Sequence, residues 1–276
     1  MQFNADSLGI DTAELRIAVM PTMSCLPVYY AKRSGLADSL GLRIKLLHFQ
    51  AQMDVDTAIL ARHTDIAFTD LIRCARMNKA NASVKPFSSC DESLSLISLE
   101  AKQVKQVKQM KEQMIAVSRL SATDFWCDRL LDSTKTSHDD IYRPQVNDVW
   151  LRAEMLRQGL VDAAMMGEPY ATWMTLLGHK RLFHTQGKQP KLYAWANISA
   201  SKQQEDAFLC MVDSAIACIE RNVQEEVVRS ILKGTYQLPP AMVDSMELQP
   251  IPNPTPISPS DTLEALKWLE SKKTRK

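Results

Sequence analysis

The residues best placed to do chemistry are hydroxyls and carboxylates that follow short apolar runs. Thr22-Met23-Ser24-Cys25 follows Leu15 to Met20, and Thr69-Asp70 follows Ile66 to Phe68. Ser118 to Thr123 follows Met114 to Val117, and Glu168-Pro169-Tyr170 follows Val161 to Met166. Each leads into a helical pattern, so its polar groups fall at the carboxyl end of a strand, the edge where open α/β sheets gather ligands. Helix N-termini add unpaired N–H groups and a partial positive charge, suited to an anionic or polar group. The hydroxyls of Thr22, Ser24, Thr69, Ser118, Ser121 and Thr123 would add neutral hydrogen bonds. Asp70 and Glu168 would oppose an anion and suit an amine or a ring nitrogen. Capping alone also accounts for Ser24, Asp70 and Ser121, and Glu168 equally suits a cap of its own helix.

The elements that position these turns follow from periodicity. Leu15 to Met20, Leu42 to Phe49 and Ile66 to Phe68 read as strands. They alternate with helices over Leu26 to Ser34, Asp54 to Ala61 and Leu71 to about Asn78, an order that argues for a parallel sheet with helices on its faces. Ser83 to Cys90 and Leu94 to Leu99 read as further strands. A second α/β run has strands at Met114 to Val117, Ile141 to Asn147 and Val161 to Met166, and a helix at Asp124 to Leu131. Between its last two strands, Trp150, Leu151, Met155, Leu156 and Leu160 share one helical face, ended by Gly159. Val55 to Asp70 is a fainter copy of the helix-strand-turn over Val146 to Trp173, which suggests two lobes of related construction. Ala101 to Gln113 carries Val104, Val107 and Met110 at every third place among lysines, a solvated segment with one docked stripe. Lys191 to Asn197 reads as a returning strand and Glu205 to Leu232 as one long helical region. A last helix starts near Asp261 after a proline-rich stretch.

Composition excludes several classes. The chain has 276 residues, 45% apolar and 24% charged, as in ordinary globular proteins, and can bury a sizeable core. A net charge of +1 gives no electrostatic case for nucleic acid or an anionic membrane. No apolar run approaches the roughly 20 residues of a membrane span. The start, MQFNADSLGID, lacks the basic and apolar regions of a secretory signal. The protein is therefore cytoplasmic, or it is exported (periplasmic, or anchored as a lipoprotein) by a signal outside this sequence. The six cysteines show no C-x-x-C pair and read as reduced core thiols. No metal or phosphate-loop motif occurs, so no cofactor and no catalytic residue is expected.

Four stretches in order resemble a known family. They are LRIAVMPTMSCLPVYYAKRSGLADSLGLRIKLLHF, TAILARHTDIAFTD, MIAVSRLSATDFWCDRLL and VWLRAEMLRQGLVDAAMMGEPYATW. Together they are similar to the substrate-binding proteins of ABC importers, in the group that takes nitrate, sulfonates, taurine or thiamine precursors. The resemblance rests on Tyr29-Tyr30-Ala31-Lys32 with Gly35-Leu36, and on Gly159, Asp162-Ala163 and Glu168-Pro169-Tyr170. Arg62-His63 stands where the family usually has a glycine, and Lys111-Glu112-Gln113 where it has a Leu-Lys-Gly-Lys turn. The cysteine-rich, histidine-bearing iron site of the related thiamine-precursor synthases has no counterpart.

The resemblance implies a type 2 periplasmic-binding-protein fold: two α/β lobes, each a mainly parallel sheet flanked by helices, closing by a hinge over a small ligand. Lobe I would comprise 13–99 and 200–276, and lobe II 100–199, with hinge crossings near 95–100 and 193–200. The turns would then face one cleft, with Thr22, Met23, Ser24, Thr69, Asp70, Ser118, Ser121, Thr123, Glu168 and Tyr170 as ligand contacts. Trp126, Tyr193 and Trp195 suit stacking on a flat ligand or a place in the core. Arg73 and Arg119 suit a ligand carboxylate or sulfonate, or solvated surface. The expected partners are a small molecule and an importer permease, with the protein monomeric. The competing readings are an enzyme on the same fold using Asp70 or Glu168 as acid–base, such as a chorismate-dehydratase-like protein, and a ligand-sensing domain.

Overall fold

The computed structural model describes residues 14–185, 189–248 and 250–274. The amino-terminal stretch read above for an export signal lies outside them, as do the outermost ends assigned to lobe I. The chain builds two mixed sheets. Lobe I holds β1 (Leu15–Val19), β2 (Ile44–His48), β3 (Ile66–Asp70), β4 (Lys85–Cys90), β10 (Tyr193–Asn197) and β11 (Pro254–Thr255). Their order is β11-β4-β10-β3-β1-β2. Lobe II holds β5 (Leu94–Ser98), β6 (Gln113–Ala116), β7 (Ile141–Tyr142), β8 (Ala163–Gly167) and β9 (Lys180–His184), in the order β7-β6-β8-β5-β9.

The parallel arrangement read from the alternating elements holds for β2-β1-β3 and for β7-β6-β8. Strands next to a crossing enter the sheets antiparallel: β10 beside β3 and β4, and β5 beside β8 and β9. The crossings thus fall between β4 and β5, at 91–93, and between β9 and β10. Leu94–Ser98, expected on the way out of lobe I, is a fully buried strand of lobe II, and Tyr193–Asn197 is a central strand of lobe I. Both runs are apolar enough to be buried on two faces, so sequence alone does not say which sheet receives them.

In lobe I, α1 (Leu26–Arg33) and α2 (Leu36–Ser39) follow β1, α3 (Gln52–Leu60) follows β2, and α4 (Leu71–Lys79) follows β3. Lobe II contributes α5 (Ala122–Thr134), α6 (Val149–Arg157) and α7 (Tyr170–Leu176). The chain then returns through α8 (Lys202–Glu220), α9 (Glu225–Gly234), α10 (Pro240–Ser245) and α11 (Pro259–Thr274). The long helix expected over Glu205 to Leu232 is broken between α8 and α9, where Asn222 and Gln224 adopt φ of 55° and 50°. In Ala101 to Gln113 the docked stripe is present, since Val104, Val107 and Met110 are buried. It rides on short 3-10 turns at Glu100–Lys102 and Val107–Met110, whose three-residue period matches its spacing. Cys25, Cys74, Cys90 and Cys127 are buried free thiols, whereas Cys210 is exposed.

The expected face of α6 is corrected. The helix buries Arg152, Ala153, Glu154 and Leu156, while Leu151 and Leu160 face solvent at 44% and 55% exposure. A buried arginine on the inward face breaks the apolar periodicity from which that face was read.

Candidate functional site

The carboxyl ends of β1, β3, β6 and β8 meet between the lobes and enclose a cavity of about 40 Å³. Strand alternation decides which residues reach it. On β3, Phe68 and Asp70 line the cavity and Thr69 points to the other face. Of the expected contacts, Thr22, Asp70, Ser118, Ser121, Thr123, Glu168 and Tyr170 line it, whereas Met23, Ser24 and Thr69 do not. Met23 is packed in the core, and Ser24 is turned toward Glu92. The stacking candidates divide in the same way. Tyr193 lines the cavity, stacked on Phe68 with ring centroids 5.5 Å apart, while Trp195 is fully buried against Phe68 and Phe208. Trp126 packs on Phe125 and Phe183 inside lobe II.

Asp70 caps α4 by accepting from the N–H of Arg73 at 2.9 Å, and it also accepts from Ala122 N–H of lobe II at 3.3 Å. The Arg73 guanidinium stands 3.6 Å from the same carboxylate. Burial nonetheless pushes the Asp70 carboxyl above its ordinary range. Arg73 is itself buried: it donates to Asp56 at 2.5 Å and, across the cleft, to the Ser118 hydroxyl at 2.6 Å. It is therefore neither solvated surface nor free for a ligand, while Arg119 is exposed and donates to the Arg143 carbonyl. In lobe II the hydroxyls bind one another. The Ser118 N–H donates to Thr123 Oγ1, and the Ser121 hydroxyl donates to the Ser118 carbonyl. Glu168 accepts from Thr172 N–H and from Arg181, both at 2.9 Å. Tyr170 donates its hydroxyl across the lobes to the Tyr236 carbonyl at 2.9 Å.

Sequence reasoning missed four polar residues of the cavity: Gln52, Glu92, Asn147 and Arg152. Arg152 is 3% exposed and donates only to backbone carbonyls, Val146 at 3.0 Å and Met165 at 2.6 Å. It makes no salt bridge among the described residues. Burial, with repulsion from Arg73, lowers its pKa to about 10. Two further buried atoms at the cavity, Thr22 Oγ1 and Gln52 Nε2, have no hydrogen-bond partner among the described residues. An unpaired cation beside unsatisfied donors is an arrangement that a small anionic or polar guest would complete. Glu92, on the first crossing, is raised to about 7 by burial, with Glu168 adding repulsion. Among the described residues there is no group of His, Cys, Asp and Glu that would hold a metal ion. No helix among them is long and apolar enough to cross a membrane.

Comparison with family models and with curated proteins gives no match. Solved structures do match. The aliphatic sulphonate-binding protein SsuA from Escherichia coli superimposes with a TM-score of 0.75 at 19% identity, over 95% of this chain and 92% of that one. The alkanesulfonate-binding SsuA from Xanthomonas axonopodis pv. citri, bound to MOPS, gives 0.72 at 19% identity, over 94% and 91%. The nitrate-binding protein NrtA from Synechocystis PCC 6803 gives 0.71 at 12% identity, over 83% and 68%. These likenesses, with the sheet orders above, identify the two-lobed periplasmic-binding-protein fold in this chain.

Proposed function

We propose that this chain is a solute-binding protein that captures a small organic anion between its lobes and delivers it to an ABC-type importer. The observation that carries the reading is Arg152, a buried guanidinium with no salt bridge among the described residues, at a cavity where Thr22 Oγ1 and Gln52 Nε2 also lack hydrogen-bond partners among them. Removing such a cation from water is costly, and a ligand anion offsets that cost only when the lobes close. The structural neighbours support this direction, since those compared above bind sulfonates and nitrate by their descriptions. On this reading the protein works outside the cytoplasmic membrane as a monomer, with an importer permease as its partner. Asp70 and Glu168, the groups an enzymatic reading would use as acid and base, are each engaged with an arginine.

The reading is tested by thermal shift and calorimetry with nitrate and with small sulfonates, carboxylates and phosphonates. At about a thousand times its Kd, a true ligand stabilises the fold by roughly 4 kcal/mol. Absence of any stabilisation by every anion class would overturn it.

A further inference from the structure

Glu92 lies on the short crossing from β4 to β5, away from all four turns that attract attention in the sequence. Its Oε2 accepts from the Ser24 N–H at 2.9 Å and from the Ser24 hydroxyl at 2.5 Å. Ser24 belongs to the 3-10 turn at Met23–Cys25 that leads into α1. Its N–H has no partner within that turn. The chain's own carboxylate supplies that partner. The other oxygen, Oε1, faces lobe II: a Cβ added to Gly167 would stand 3.3 Å from it. Glu92, Gly167, Glu168 and Tyr193 all line the cavity. The other cavity carboxylates have cations, Arg73 for Asp70 and Arg181 for Glu168. Glu92, only 8% exposed, has no ion-pair partner among the described residues.

We infer that Glu92 is a specificity-determining residue that selects a ligand carrying an ammonium group on its side of the cavity. This rests on the reading that Arg152 takes the ligand's anion. The ligand class is then a short dipolar molecule, anionic at Arg152 and cationic at Glu92. An ammonium would give this buried carboxylate a charge-assisted hydrogen bond, whereas a methyl group in its place would leave it without a partner. The tendency of the buried carboxyl to hold a proton points the same way, because an arriving cation relieves that burial cost. Glu168 and the phenols of Tyr193 and Tyr236, with the thiols of Cys25 and Cys90, surround it and supply no cation.

The test is calorimetry on the whole protein at about pH 8, where Glu92 is charged, with pairs of near-equal shape. These are aminoethanesulfonate against propanesulfonate, beta-alanine against butyrate, and aminoethylphosphonate against propylphosphonate. In at least one pair the amino member is expected to bind about 100-fold tighter. Glu92→Gln is expected to shrink that gap to about threefold, chiefly by weakening the amino member. Equal binding of both members by the unmodified protein would overturn the inference and leave the anion reading standing. A full gap retained in Glu92→Gln would do the same. Binding of none would overturn the anion reading and this inference with it. The comparison within pairs needs no variant, so it holds even if Glu92→Gln folds poorly.

Discussion

Two buried arginines divide the roles of the lobes. Arg73 of α4 is 1% exposed and sits among carboxylates, with Asp56 at 2.5 Å and Asp70 at 3.6 Å. Arg152 of α6 is 3% exposed and meets only two carbonyl oxygens. The first charge is neutralised within its own lobe, so it serves the fold and, through Ser118, the contact between lobes. The second makes no salt bridge among the described residues. A buried charge matched in place is structural, and one held by dipoles alone is available to a partner from outside.

The largest effect expected from this contrast is on stability. Arg73→Met leaves Asp70 buried with only backbone donors, while Asp56 keeps Arg76 at 2.6 Å. Breaking a buried pair on one side should cost about 3 kcal/mol in chemical denaturation. Arg152→Met should do the reverse, moving stability by no more than about 1 kcal/mol, because the lost carbonyl bonds are offset by relief of an uncompensated charge. Its cost should appear in calorimetry, as a loss of about 100-fold in anion affinity. If the Arg152 variant unfolds while the Arg73 variant melts normally, the division of roles is the wrong way round.

Glu92 extends the contrast to pH. Burial raises its carboxyl from the ordinary 4.5 to about 7 in the folded state. The unfolded chain therefore releases this proton first as pH rises. The stability that the folded form gains from keeping it is fully present below about pH 4.5, falls as pH rises through about 7, and is gone above. This one group should make the protein about 3 kcal/mol less stable at pH 8 than at pH 4.5, other titrations apart. Glu92→Gln should remove that part of the slope in denaturation curves taken across the range. An unchanged slope would mean that water reaches the carboxyl and that burial does not govern it.

Much of this could be read from the sequence, in a physically uneven way. The strand-to-helix turns were legible because hydroxyls and acids after short apolar runs have few other local uses. Asp70, Ser121 and the Ser118-to-Thr123 loop stand where that logic puts them. Which side of β3 faces the cleft was not legible, so Thr69 was expected beside Asp70 although strand alternation separates them. Arg152 was hidden because a polar residue on a helix reads as solvated surface, and its helix exposes Leu151 instead. Glu92 was hidden because it lies in a three-residue crossing with no periodicity, and only the tertiary fold brings it to Ser24. The crossings were misplaced for a related reason: strands buried on both faces carry no mark of the sheet they join.

A third buried charge tests the rule at its smallest scale. Asp128 on α5 is 2% exposed and pairs with Arg143 at 2.5 Å and with Lys272 of α11 at 2.7 Å. The Trp268 indole N–H of α11 also donates to it at 2.8 Å. Since α11 packs on α4 as well, through Lys79–Glu270 and an apolar cluster with Leu71 and Ile72, this contact ties the carboxyl-terminal helix to both lobes. Its cations hold the Asp128 carboxyl below the ordinary range even though burial alone would raise it. On the rule drawn from Arg73, this charge is matched in place and belongs to the fold. Trp268→Phe removes one neutral donor and leaves both cations, so it should cost only about 1 kcal/mol in denaturation and leave ligand affinity unchanged. A change in affinity would mean that α11 sets the equilibrium between open and closed lobes, and a matched charge would then serve function after all.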